Sequence, residues 1–140
     1  MDNTLFNLAF TAKEIQLVFK RFVTDLSVDV PTEAMGILLA VYYKSDLIQQ
    51  DIAEIVKKDK SAVLRHIDNL EKKGLLQRTI AANDRRRNII SITDEGKQFI
   101  YEINDRANEL FSVLSEGLSS IDVEMFNKML NHIRSKAKTV

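Results

Sequence analysis

The chain has 140 residues, of which 45% are hydrophobic, and its 20 basic residues balance 20 acidic ones. This size suits one domain, the balanced charge argues against a general polycation, and the absence of cysteine excludes disulfides, cysteine-ligated zinc and thiol-based redox sensing. No apolar run reaches the roughly 18 residues of a membrane span, and the first residues lack the basic region of a signal peptide. We therefore expect a cytoplasmic protein with no membrane partner.

The first predicted helix extends from Leu5 to Leu26. Its apolar residues recur at helical spacing, and Phe6, Phe10 and Leu17 widen the stripe. One buried face does not need this much apolar surface. We expect the helix to pack against its own domain and against another chain, with burial inside the core of a single chain as the alternative.

The next two helices are also amphipathic. Pro31 suits the first turn of a helix, with Asp29 as a candidate cap, and the apolar run from Ala34 to Tyr43 predicts a central core helix. A third helix is predicted from about Ile48 to Val56. A lysine-rich turn follows it.

The fourth predicted helix has one apolar and one polar face. Val63, Ile67 and Leu70 fall at i, i+4 and i+7, which places them on one side. The polar residues that project from the opposite side are Ser61, Arg65, Asp68 and Lys72. Gly74, directly after two lysines, predicts a left-handed residue that ends the helix.

A basic hairpin follows. Two β-rich runs, 75–80 and 88–92, flank a predicted tip at residues 83–87, Asn-Asp-Arg-Arg-Arg. From residue 57 to 87 there are ten basic and four acidic residues, a net charge of +6, so the remainder of the chain carries −6. A positive patch on an acidic body attracts and orients phosphate, and this pattern indicates DNA binding.

Two further helices complete the chain. Thr93 is placed to cap a helix that continues to about Glu116, and Ser119 or Ser120 can cap the last one. The last helix has a second wide apolar stripe, made by Ile121, Met125, Phe126, Met129, Leu130 and Ile133.

Two blocks of residues closely resemble the MarR (multiple antibiotic resistance regulator) family of bacterial winged-helix repressors, and the resemblance covers nearly the full chain. The first block is Asp84-Arg85-Arg86 followed by Ile92-Thr93-x-x-Gly96, similar to the family's Asp-x-Arg and Leu-Thr-x-x-Gly patterns. The second comprises Gln49-x-x-Ile52-Ala53-Glu54, Asp59-Lys60-Ser61 and Asp68-x-Leu70-Glu71-x-x-Gly74-Leu75.

The resemblance implies a mainly α fold with a small β-hairpin wing, as one domain over residues 1–140. A winged helix-turn-helix lobe would cover 31–93, and a helical dimerisation region would cover 1–30 and 94–140. It implies a homodimer that binds a pseudo-palindromic operator in double-stranded DNA as a transcriptional regulator, and a small aromatic or amphipathic effector as a further partner. We expect no cofactor.

The resemblance also implies DNA contacts, by the helix that enters the major groove and by the wing. The candidate residues are Lys58, Lys60, Ser61, Ala62, Arg65, Asn69, Arg85, Arg86 and Arg87. Asp84 would orient Arg86 or pin the hairpin. The simplest alternative for Arg65 is a surface ion pair with Asp68.

Other interpretations compete with these. Four residues, Tyr42, Tyr43, Phe22 and Met35, are candidates for an effector pocket, although aromatic residues at helical spacing are more often core. A winged helix can also be a protein-docking module without sequence-specific DNA binding. We expect neither catalysis nor a metal site, because the sequence has no catalytic constellation and its two histidines have no partner at metal-ligand spacing.

Overall fold

The computed structural model describes residues 3–140. Over this range the chain forms helices α1 (Thr4–Phe22), α2 (Thr32–Tyr43), α3 (Gln49–Val56), α4 (Lys60–Lys72), α5 (Asp94–Leu114) and α6 (Ser120–Ala137), and strands β1 (Leu76–Ala81) and β2 (Asp84–Ile92). The two strands form an antiparallel hairpin between α4 and α5. The predicted mainly α fold with a β-hairpin is confirmed. Among the described helices, none has both the length and the apolar character needed to cross a membrane.

The chain divides into two compact units, one ending at Arg106 and one covering Ala107–Val140. The first unit contains α1 to α4, the hairpin and most of α5, and the second contains the end of α5 and α6. The predicted boundaries at 30/31 and 93/94 remain predictions.

Helix α2 lies at the centre of the core of the first unit. It contacts α3, α4 and β2, and Ala34, Ile37, Leu38 and Val41 are buried. The other elements contribute Leu47, Ile52, Ala53, Val63, Ile67, Leu70, Leu75, Leu76, Ile90, Phe99, Ile100 and Ile103 to the same cluster. The predicted role of α2 as the central core helix is thus confirmed.

The segment between α1 and α2 differs from the sequence prediction. Helix α1 ends at Phe22 rather than near Leu26, because Leu26 belongs to an irregular linker in which it packs against the core with Val28 and Val30. The prediction that Asp29 caps α2 is wrong. Pro31 takes the N-cap position and no side chain caps the helix, since the side chain of Asp29 starts two residues too early to reach the first free amides.

One junction joins the end of α4, the base of the hairpin and the start of α5. Gly74 has a φ of 75°, the left-handed conformation predicted for it. The Thr93 hydroxyl donates to the Gly74 carbonyl at 2.6 Å and accepts from the Gly96 amide at 2.9 Å, while the Thr93 amide donates to the Leu75 carbonyl at 3.1 Å. These bonds fix where the hairpin leaves the lobe.

Helix α6, in the second unit, begins with the predicted serine cap. The Asp122 amide donates to the Ser119 hydroxyl oxygen at 3.2 Å, and the Asp122 carboxylate accepts from the Ser119 amide at 2.8 Å. The hydrogen bonds from the Ser119 side chain and backbone lower the pKa of Asp122 below its ordinary value. No residue between Ser120 and Ala137 is fully buried.

Candidate nucleic-acid interface

Helices α3 and α4 form a helix-turn-helix. The turn contains Lys57 in a left-handed conformation, and Asp59 caps α4 by accepting from the Ala62 amide at 2.9 Å. The Gln49 side-chain amide donates to the Lys60 carbonyl at 3.1 Å, and the Lys60 ammonium donates to the Gln50 side-chain oxygen at 3.3 Å. We call α4 the reading helix. Its first turn is therefore held against the start of α3.

The reading helix has the two faces that its sequence predicts. Val63, Ile67 and Leu70 are at most 1% exposed, and they anchor it in the core. On the other side Lys60, Ser61, Arg65 and Asn69 are exposed and Ala62 is half-buried, and Lys58 is exposed in the preceding turn. Six candidate DNA-contact residues thus lie along one helix and its turn.

Arg65 does not form the surface ion pair with Asp68. In residues 3–140, Asp68 forms its ion pair with Arg78 instead, and Arg65 has no ion pair. The alternative in which Arg65 only forms an ion pair with Asp68 is therefore wrong. Its guanidinium is exposed and free to bind phosphate or a base edge.

The three wing arginines form a bulge rather than the hairpin tip. In the β1–β2 hairpin, which we call the wing, Ile80 faces Asn88 but the next residue, Ala81, faces Asp84. Residues 85–87 therefore have no partner across the ladder, and the tip is the Ala82-Asn83 turn. A bulge re-aims side chains away from the regular strand faces. All three arginines are exposed, and none has an ion pair within the described chain.

Asp84 fixes the backbone of this bulge. Its carboxylate accepts a hydrogen bond from the Arg86 amide at 2.9 Å. Of the two roles predicted for Asp84, the structure shows the one in which it pins the hairpin. The effect on the Arg86 guanidinium is indirect, through the backbone.

Sequence analysis missed the residue that connects the wing to the reading helix. The guanidinium of Arg78 on β1 forms ion pairs with Asp68 and Glu71, both on α4. Partial burial alone would lower the pKa of Arg78, but the Asp68 hydrogen bond and the charges of Glu71 and Asp68 raise it above its ordinary value. The available signal was two acidic residues at i and i+3 on α4, followed by an arginine on the adjoining strand.

A cleft of about 460 Å³ separates the wing from the helix-turn-helix. It is bordered by Gln49, Gln50, Leu64, Arg78, Arg86, Arg87 and Asn88, with Ile48 and Ile90. The basic side chains of the wing and the polar side chains of α3 therefore face a common surface.

The four residues considered for an effector pocket have two different environments. Met35 and Tyr42 are half-buried against the core, and Phe22 is half-buried. Tyr43 is 76% exposed and borders an open groove between α2 and the end of α3. The Tyr42 ring meets those of Tyr43 and Tyr101 edge-on, and a hydrogen bond with Tyr101 raises the pKa of Tyr42.

Comparison with known proteins agrees with this architecture. A model described as the MarR family matches residues 28–87. The uncharacterized HTH-type transcriptional regulator YdgJ of Bacillus subtilis (strain 168) is 26% identical over 124 residues, which are 83% of this chain and 74% of that protein. The structure of a protein of unknown function from Listeria innocua is 30% identical, with a TM-score of 0.70 over 94% of this chain and 90% of that one.

Structures of mutant MepR from S. aureus share the fold at 22% identity. One has a TM-score of 0.81, covering 97% of this chain and 99% of that one, and another, bound to an oligodeoxyribonucleotide, has a TM-score of 0.69, covering 98% and 99%. The matched family model covers the helix-turn-helix and the wing as far as the arginine bulge, the same elements that the structure brings together. We conclude that residues 28–87 belong to the MarR family of winged-helix, DNA-binding transcriptional regulators, and that the chain has the same fold as the MepR structures.

Proposed function

We propose that this protein is a homodimeric repressor that binds a pseudo-palindromic operator and is released from it by a small aromatic or amphipathic effector. The observation that carries the proposal is the placement of unpaired cations. Arg65 on the reading helix and the three arginines of the wing bulge are exposed and have no carboxylate partner in residues 3–140.

The two elements suit different parts of DNA. A helix with a polar face fits the major groove, where Arg65, Ser61 and Asn69 can reach base edges and phosphates. The wing bulge, with Arg86 as the candidate wing-tip arginine, would approach the adjacent backbone and minor groove. A MepR structure of the same fold is bound to an oligodeoxyribonucleotide, which supports DNA as the partner.

Exposed apolar surface supports a dimer. Helix α1 has no fully buried residue, and Leu5, Phe6 and Phe10 are 70%, 61% and 68% exposed. Burial of α1 inside the core of one chain, the alternative considered for it, is thus not what the structure shows. Helix α6 likewise exposes Ile121, Met125, Phe126, Met129 and Ile133. Surfaces of this kind mark protein interfaces, and we propose that a second copy covers them.

The dimer has a direct test. We expect sedimentation velocity to give a dimer for the wild type, and Phe10→Glu to weaken it because a charge would be buried at the interface. Lys138→Glu, which places the same side chain at the exposed end of α6, serves as the control. A wild-type monomer at micromolar concentration would contradict the proposed dimer.

Two symmetric lobes require two half-sites about 10 bp apart, since both must meet the same face of the double helix. Binding between such half-sites would block polymerase. An effector that changes the separation of the lobes would reduce operator affinity through a coupling of about 1 to 3 kcal/mol. Unchanged operator affinity across a panel of aromatic acids and lipophilic drugs would argue against this part.

The deciding experiment is selection of bound duplexes from random DNA at near-physiological salt. An enriched inverted repeat supports the proposal and supplies the operator. Salt-sensitive binding without enrichment would reduce the protein to a non-specific binder. No binding would favour the docking-module alternative.

Variants then separate the two elements on the selected operator. We expect Arg86→Ala to weaken binding to all sequences, and Arg65→Ala also to relax sequence preference. Each phosphate that is no longer neutralised should reduce the slope of log K against log salt by about 0.9. Lys97→Ala, on α5 and paired with Asp94, removes the same charge outside the candidate interface. Wild-type affinity and preference in both arginine variants would remove these assignments.

A further inference from the structure

Arg78 on β1 forms a polar connection between the wing and the reading helix. One guanidinium nitrogen lies 2.5 Å from the Asp68 carboxylate and the other binds Glu71. Because Asp68 and Glu71 are three residues apart on α4, both carboxylates point to the same side of the helix. A planar guanidinium can bind two carboxylates at fixed angles, which a lysine ammonium cannot do.

The position of Arg78 along the hairpin gives this contact its importance. Arg78 faces Ile90 across the ladder. Ile90 is buried, and its amide donates to the Leu47 carbonyl at 2.7 Å. At this level both strands are attached to the lobe, β2 through Leu47 and β1 through α4.

Beyond this level the wing extends into solvent. Two residues further along β1, Ile80 is 65% exposed. On β2 the arginine bulge begins three residues from Ile90. The direction of the bulge is therefore set close to the Arg78 contact, where a small rotation moves the arginines by a larger distance.

Charge adds a second effect. Asp68 and Glu71 lie on the helix that we propose enters the major groove, where free carboxylates would repel phosphate. The Arg78 side chain is 25% exposed, so its interaction with them is only partly screened by water. It therefore offsets negative charge on the reading helix as well as holding the wing.

We propose that Arg78 is a positioning residue: through Asp68 and Glu71 it locks the wing to the reading helix, so that Arg65 and Arg86 engage adjacent grooves together. This inference rests on the proposed DNA binding. It predicts that the contribution of Arg86 to affinity depends on Arg78, although the two side chains play different roles.

A double-mutant cycle on the selected operator tests the dependence. We expect Arg86→Ala to lower affinity about tenfold in the wild-type background and about twofold or less in an Arg78→Met background. A second background, Asp68→Asn with Glu71→Gln, breaks the lock from the helix side and keeps Arg78. There too the Arg86→Ala loss should shrink, while non-specific binding rises because two negative charges are gone. Lys97→Met is the charge-matched control background, in which the tenfold loss should persist.

The outcomes separate the two proposals. If Arg86→Ala costs the same factor in all backgrounds, Arg78 does not position the wing, whereas absence of operator binding by the wild type rejects the proposed function itself. Hydrogen exchange without DNA gives an independent measurement. Amides of β1 and β2 should exchange faster in both lock-breaking variants, with α2 unchanged. Equal protection of the wing in wild type and variants would overturn the inference, whatever the DNA result.

Discussion

Gly96→Ala should destabilise the protein because a methyl group has no room at the junction of the wing with α5. A Cβ at this position would lie 2.2 Å from the Leu75 carbonyl oxygen and 2.6 Å from a side-chain carbon of Ile92. A carbon normally stays about 3.3 Å or more from such an oxygen, so the backbone must move by about 1 Å. The same carbonyl accepts from the Thr93 amide, and that bond would weaken. We expect a loss of about 1 to 3 kcal/mol in the free energy of unfolding, after a helix-propensity gain of up to about 1 kcal/mol.

Gly36→Ala is the matched control, since it makes the same substitution in α2 where an added Cβ has no neighbour within 4 Å. It should stabilise the protein by about 0.5 to 1 kcal/mol. Thermal unfolding should give a Tm below that of the wild type for Gly96→Ala and above it for Gly36→Ala, with a shift of roughly 4 °C per kcal/mol. All three proteins are compared at one concentration because association shifts stability. A Gly96→Ala variant as stable as the wild type would refute the steric argument.

Three further predictions concern caps and charge. Thr93→Val should lower the free energy of unfolding by about 1 to 2 kcal/mol, and Thr93→Ser should not, because only valine lacks the hydroxyl; urea unfolding compares them, and equal midpoints would contradict the role of the hydroxyl. Asp59→Ala should lower the free energy of unfolding by about 1 kcal/mol because it removes the cap of the reading helix, whereas Asp59→Asn should keep a cap. The same assay measures both variants, and equal stability of the two would argue against the cap. The lowered pKa of Asp122 means that its charged form contributes stability above the unfolded pKa, and that this is lost as pH falls through the folded pKa. An NMR titration should give a pKa for Asp122 below that of an ordinary exposed aspartate, and Ser119→Ala should raise it; an ordinary aspartate pKa in the wild type would contradict the cap.

Local sequence signals predicted those features that depend on a few neighbouring residues. The stripe of Val63, Ile67 and Leu70 fixed the orientation of the reading helix, since a helix places residues at this spacing on one side. Gly74 predicted the end of one helix because glycine suits the left-handed conformation found there. Thr93 predicted the start of another because its hydroxyl can accept a hydrogen bond from an amide three residues further along the chain. Both wide apolar stripes were also visible in sequence.

Contacts between distant segments were not predictable in the same way. Asp68 has Arg65 three residues before it and Arg78 ten residues after it, and sequence spacing favours the nearer partner. The hairpin brings Arg78 to the same side of α4, so the distant pair forms instead. The bulge was missed for a related reason, because the register of β2 depends on where the turn closes. Closure at Ala82-Asn83 leaves the three arginines without partners across the ladder.

Ion pairing also explains how a chain of zero net charge can present a binding surface for a polyanion. Within residues 3–140, cations in ion pairs with carboxylates are found at Arg78, Lys97 and Arg106, where a carboxylate of the same chain balances each charge. The arginines of the wing bulge and Arg65 have no such pair, although acidic residues are as numerous as basic ones in the chain. In the proposed mode of binding, phosphate would meet these unpaired guanidinium groups, while the −6 charge of the remaining sequence would oppose other orientations. The placement of the carboxylates, and above all the pairing of Asp68 and Glu71 with Arg78, decides which cations remain unpaired and so which ones the proposed binding mode can use.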